Sequence, residues 1–123
     1  MKNKEFDVLS RLPAHFDVGW AKFSFKLVDK LTCPLGNTLY GQVDFDTATI
    51  QIDASLKGHL ALDTVIHEAM HCLLETVGLG APEETEELTT TNELLTEATT
   101  RCMLMFRNLN PKLWELLFET YYE

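Results

Sequence analysis

Residues Leu60 to Val77, LALDTVIHEAMHCLLETV, constrain this chain more than any other stretch. At about 100° per residue, Leu62, Val65, Ile66, Ala69, Met70, Cys72, Leu73 and Val77 cover well over half of a helix circumference, so the spacing predicts a largely buried central helix. The remaining arc carries Asp63, Thr64, His67, Glu68, His71 and Glu75, with no lysine or arginine among them. A solvated helix face ordinarily mixes both signs of charge. Three carboxylates gathered around two histidines repel one another, and a bound cation relieves that repulsion.

Within this stretch His67-Glu68-Ala69-Met70-His71 spells HExxH. Histidines at i and i+4 are neighbours on one helix face, so both rings can reach one zinc ion at about 2.0–2.1 Å. The glutamate between them is offset by about 100°, toward a metal-activated water. A chance match in a chain this short is on the order of 1 in 300. Apolar flanks at Val65, Ile66, Cys72, Leu73 and Leu74 suit a motif seated in a buried helix. Without the chemistry, the same residues are two histidines and a glutamate on a half-exposed face.

A chain of 123 residues has room for a single domain, residues 1–123, and its 46% apolar content is that of a globular protein. The N-terminus MKNKEFDVL lacks a long apolar run, and nowhere do about 18 apolar residues follow one another, so neither signal peptide nor membrane span is expected. Cys33, Cys72 and Cys102 form no CxxC pair and fit reduced thiols, which with the missing signal predicts a cytoplasmic protein. Cys72 follows a candidate ligand but points about 100° away from it, which predicts burial. A net charge of −9, with ten scattered basic residues, excludes nucleic acid as a partner and favours a protein or peptide. The acidic run Glu83-Glu84-Thr85-Glu86-Glu87 reads as a solvated loop.

Residues 3 to 12 are expected to form a short helix with Phe6, Leu9 and Val8 inward, ending before Pro13. From Trp20 onward Phe23, Phe25 and Leu27 alternate with Lys22, Ser24 and Lys26, the period of a strand buried on one face. Residues 30 to 38 read as a loop, with Pro34, Gly36 and Asn37. Leu39 to Val43 and Thr49 to Asp53 flank Asp44-Phe45-Asp46-Thr47 and predict a hairpin with Ile50 and Ile52 on the core face. Gly78 ends the central helix and Pro82 prevents its continuation. A helical pattern resumes near Asn92, with Leu95, Ala98, Cys102, Met105 and Phe106 as its apolar stripe and Glu93, Glu97 and Thr100 on a different face. Asn110-Pro111 breaks it and starts another helix, Asn110 as cap, with Leu113, Leu117 and either Leu116 or Phe118 inward. The expected fold is α+β: a small, mainly antiparallel sheet on a central HExxH helix, followed by two further helices.

A catalytic zinc takes three protein ligands and an open position. Glu75 lies eight residues from His67, roughly 12 Å along the axis, too far to share the ion. The metzincin continuation HExxHxxGxxH fails at Leu74 and Val77. Glu93, 22 residues after His71, and Glu97 one turn beyond it remain, and either could reach back. Structurally bland roles compete: Thr90 and Glu93 fit a capping box, and Glu97 can pair with Arg101 at i+4. His15 and His59 read as solvated or capped side chains in loop and helix-start positions.

HExxH followed on a second helix by ExxxE resembles the gluzincins, the thermolysin class of metallopeptidases. More closely, residues 40 to 111 resemble the minimal bacterial and phage gluzincins related to the ImmA/IrrE group. The resemblance rests on Tyr40-Gly41 before the hairpin, Thr64-Val65-Ile66-His67-Glu68, Asn92-Glu93, and the Asn110-Pro111 break. It implies a zincin-like fold binding one zinc per chain through His67, His71 and Glu93. It also implies a peptidase in which Glu68 acts as general base. Glu97 falls where an acidic residue, usually Asp, orients a ligand histidine. An edge strand beside the helix, taken here as Thr49 to Asp53, is implied to bind the substrate backbone, and Tyr40 is a possible oxyanion donor. The competing expectation is a non-catalytic, zinc-stabilised interaction module that binds a repressor or host factor.

Overall fold

The structure, a computed structural model, describes residues 7–78 and 92–119, apart from the side chains of residues 92–97 and 119. A 3-10 turn at Leu9–Arg11 leads into β1 (His15–Asp17), β2 (Lys22–Val28), β3 (Gly41–Asp44) and β4 (Thr49–Asp53). Three helices follow: α1 (Gly58–Thr76), α2 (Asn92–Leu109) and α3 (Pro111–Trp114), the last running on as a π-helical turn through Glu119. The class is α+β, with α1 where the apolar periodicity places it. The helix predicted for residues 3 to 12 shrinks to the turn at Leu9–Arg11, which buries Val8 and Leu9 and stops before Pro13. Phe6 lies outside the described residues.

Strand order is β1-β2-β4-β3. The two outer pairings, β1 with β2 and β3 with β4, are antiparallel, while β2 and β4 run parallel with Phe25 opposite Ile50 and Leu27 opposite Ile52. The sheet is therefore mixed, two of its three pairings antiparallel and one parallel. Its parallel seam follows from the connection: the chain leaving β2 passes over to build β3 at the edge, and β4 returns into the gap. The connection is pinned by a Thr32–Thr38 bridge and by Leu39 N–H donating to the Leu31 carbonyl at 2.9 Å. The buried Asp53 accepts from the Ser55 hydroxyl at 2.7 Å, the Ser55 N–H at 2.8 Å and the Leu31 N–H at 3.3 Å. These bonds, those from Ser55 foremost, hold its carboxyl below the ordinary range.

The strand expected at the edge, Thr49 to Asp53, is interior; β3 takes the edge, and α1 packs against both. Ile50 and Ile52 are fully buried, as their alternation requires. Along β2 the inward face is only half realised: Phe23 is buried, Phe25 partly so, and Leu27 is 44% exposed outside the core cluster. The sequence reading passed over β1, yet its Phe16 is fully buried, edge-on to Phe106 with centroids 5.0 Å apart. From the C-terminal half come Ala98, Cys102 and Phe106 of α2, then Leu113, Leu116 and Leu117. Gly78 closes α1 at φ +88°, donating to the Glu75 carbonyl at 3.1 Å. No described helix is long and apolar enough to cross a membrane.

Asn110 does not cap α3 with its side chain. It reaches 93 positions back to β1, its Oδ1 accepting from the Asp17 N–H at 2.7 Å and its Nδ2 donating to the Asp17 carbonyl at 2.8 Å. The buried amide thus completes the backbone bonding of a three-residue strand that has a ladder on one side only. Asn110→Ala leaves both Asp17 groups unpaired and is expected to cost about 2 kcal/mol. The check is a lower urea midpoint at unchanged denaturant slope.

Candidate metal centre

The buried stripe of α1 comprises Ala61, Thr64, Val65, Glu68, Ala69, Cys72 and Leu73. Two of these are polar, and both fall on the strip that the helical wheel assigns to solvent. They are covered because β3 lies against that flank of the helix. Thr64 satisfies its hydroxyl within the helix, donating to the Leu60 carbonyl at 2.8 Å. Glu68 is 7% exposed, and among the described residues its carboxylate has no hydrogen-bond partner. Burial raises its pKa above the ordinary value, with the neighbouring His67 pulling the other way. Glu68 lines a cleft, and a buried acceptor there can take a ligand or a proton.

His67 and His71 lie on the exposed side of the same turn pair. Their Nε2 atoms are 3.1 Å apart, with ring centroids at 4.6 Å and planes at 83°. One ring can donate to the other at that distance. The separation also suits a shared ion: two nitrogens each about 2.0–2.1 Å from one centre and 3.1 Å from each other subtend about 100°, near the tetrahedral angle. Burial, then the charge of His67, holds His71 below its ordinary pKa, favouring the neutral ring that coordinates metals.

A cleft of about 270 Å³ is lined by Tyr40, Gly41, Asp63, Thr64, His67 and Glu68. A second, more apolar hollow of about 310 Å³ is lined by Asp63, Ile66, His67, Met70, His71 and Leu74. The two share Asp63 and His67, so His67 borders both hollows while His71 lines the apolar one. The fold thus brings together Tyr40, His67, Glu68 and His71. Glu93 and Glu97 belong to α2, but their side chains lie outside the described residues. Among the described residues no group of three or more His, Cys, Asp or Glu side chains is placed to share an ion. His15 is exposed on β1 and His59 in the first turn of α1.

Cys33, Cys72 and Cys102 are free thiols. That of Cys72 is pushed up to about 12 by burial and then by the Glu68 charge, which makes it inert packing beside the site. The sequence reading did not assign site roles to Gly41, Thr64 and Asp63. A lone glycine in a strand pattern marks a close backbone approach, and that signal was available at Gly41. No family model, curated protein or solved structure matches this chain.

Proposed function

We propose that this protein is a zinc-dependent metallopeptidase of the gluzincin type, zincin-like in its packing and related to the ImmA/IrrE group. The observation that carries the reading is the pairing of two Nε2 atoms 3.1 Å apart with a buried carboxylate one residue along the same helix that has no hydrogen-bond partner among the described residues. In this reading His67 and His71 hold the ion and Glu93 of α2 supplies the third ligand, with Glu97 orienting a ligand histidine. Zinc supplies Lewis acidity there, acidifying water and polarising a carbonyl oxygen. Glu68 takes the proton of the attacking water and passes it to the leaving amine. Tyr40, 54% exposed at the mouth of the cleft, donates to the developing oxyanion. The substrate is an extended peptide laid along the edge of β3, the strand that borders both the cleft and α1. Free thiols and the acidic charge accord with a cytoplasmic enzyme acting on a protein.

The purified chain is expected to carry one zinc by elemental analysis and to cleave a denatured generic protein, with chelator stopping cleavage and added zinc restoring it. Protein without stoichiometric zinc and indifferent to chelator defeats the proposal. Stoichiometric zinc without cleavage selects the interaction module instead, in which the ion stabilises a surface for a repressor or host factor.

A further inference from the structure

Gly41 opens β3 opposite the middle of α1. Its φ lies outside the left-handed region, so glycine is not required there for backbone conformation. What the position lacks is space. A Cβ on Gly41 would stand 2.9 Å from Cγ of Glu68, 2.9 Å from Cγ2 of Thr64 and 3.2 Å from the Gln51 carbonyl oxygen. Of these three walls, two cannot yield cheaply. The Gln51 carbonyl belongs to β4, whose ladder fixes β3 with Gly41 opposite Ile52 and Gln42 opposite Gln51. Thr64 is β-branched, buried, and tied to the Leu60 carbonyl through its hydroxyl. Among the described residues the Glu68 side chain has no such tie. Its Cγ lies against the bare face of Gly41, and the side chain lines the cleft beside it.

We propose that Gly41, backed by Thr64, is the positioning residue that sets the rotamer of Glu68, so that the edge strand aims the general base. This rests on the peptidase reading for its kinetic consequence, though not for its geometry. Added bulk at position 41 displaces the carboxylate first, because Glu68 and not His67 or His71 is among the three atoms nearest a Cβ there. An error of about 1 Å in a catalytic group can cost on the order of 100-fold in rate.

The test compares Gly41→Ala, Thr64→Ser and the double variant in the full chain, with zinc content, steady-state kinetics on a generic peptide and crystal structures of each. Gly41→Ala is expected to lower kcat by 10-fold or more, with KM and zinc stoichiometry within about twofold of the parent, and to show Glu68 in a different rotamer. Thr64→Ser keeps the hydroxyl and removes the methyl wall. Alone it should lower kcat by about threefold, and added to Gly41→Ala it should recover part of the loss by letting the strand settle toward the vacated space. If Gly41→Ala does not fold, Thr64→Ser alone decides, through its Glu68 rotamer and kcat. An unmoved Glu68 rotamer, or kcat within twofold of the parent, overturns the proposal. If parent and variants bind zinc and cleave nothing, the peptidase reading fails, and the Glu68 rotamers still decide whether Gly41 aims the carboxylate.

Discussion

Glu68→Gln is expected to lower peptide hydrolysis by about a thousandfold, within the range that a positioned acid–base group contributes, while zinc remains stoichiometric. The amide matches the carboxylate in size, so the contacts with Gly41 and Thr64 persist; what goes is the ability to take a proton. Folding should not suffer. The carboxylate is buried and without a hydrogen-bond partner among the described residues, and its pKa is raised, so its charge is a cost to the fold that a neutral side chain removes. The expected thermal midpoint is therefore equal to the parent's or slightly higher, which separates loss of chemistry from loss of structure. Hydrolysis by Glu68→Gln at the parent's rate would end the assignment of Glu68 as general base. Loss of zinc along with activity would make the residue a ligand instead.

The parts of this site that were legible in the sequence are those written in local spacing. The i, i+4 histidines meet because a helix brings them round to one face, and the Leu60–Val77 periodicity specified that helix. Ile50 and Ile52 alternate toward the core for the equally local reason of the strand pleat. What escaped is set by partners distant along the chain. A helical wheel places Thr64 and Glu68 on the polar strip and cannot say that β3 covers that side of it. The parallel β2–β4 seam depends on which strand of a hairpin turns inward, and hairpin periodicity is the same for either choice. β1 is three residues long, too short to carry a period, and its identity depends on Asn110 far along the chain. Gly41 lies between the two cases, its glycine visible in the sequence and its reason supplied only by the helix opposite.

The largest effects on metal binding are expected from the ligands, and the series His67→Ala, His71→Ala, Glu93→Ala and Glu97→Ala ranks them by role. Either histidine variant should lose stoichiometric zinc, because a remaining ring and one carboxylate leave the ion two protein donors where a catalytic site uses three. Both histidines are exposed and away from the core, so their replacement should leave the unfolding free energy of the metal-free chain, read from urea titration, within about 0.5 kcal/mol of the parent. Loss of zinc then reports coordination rather than unfolding. Glu93→Ala is expected to match the histidine variants. Glu97→Ala should retain zinc with affinity lowered about 10- to 100-fold, as for a residue that orients a ligand without touching the ion. If Glu97→Ala strips the metal and Glu93→Ala does not, the two carboxylates exchange roles and the catalytic account stands. If neither change moves zinc affinity, α2 contributes nothing to the centre, and the two histidines are left as an exposed pair without the third donor that a peptidase requires.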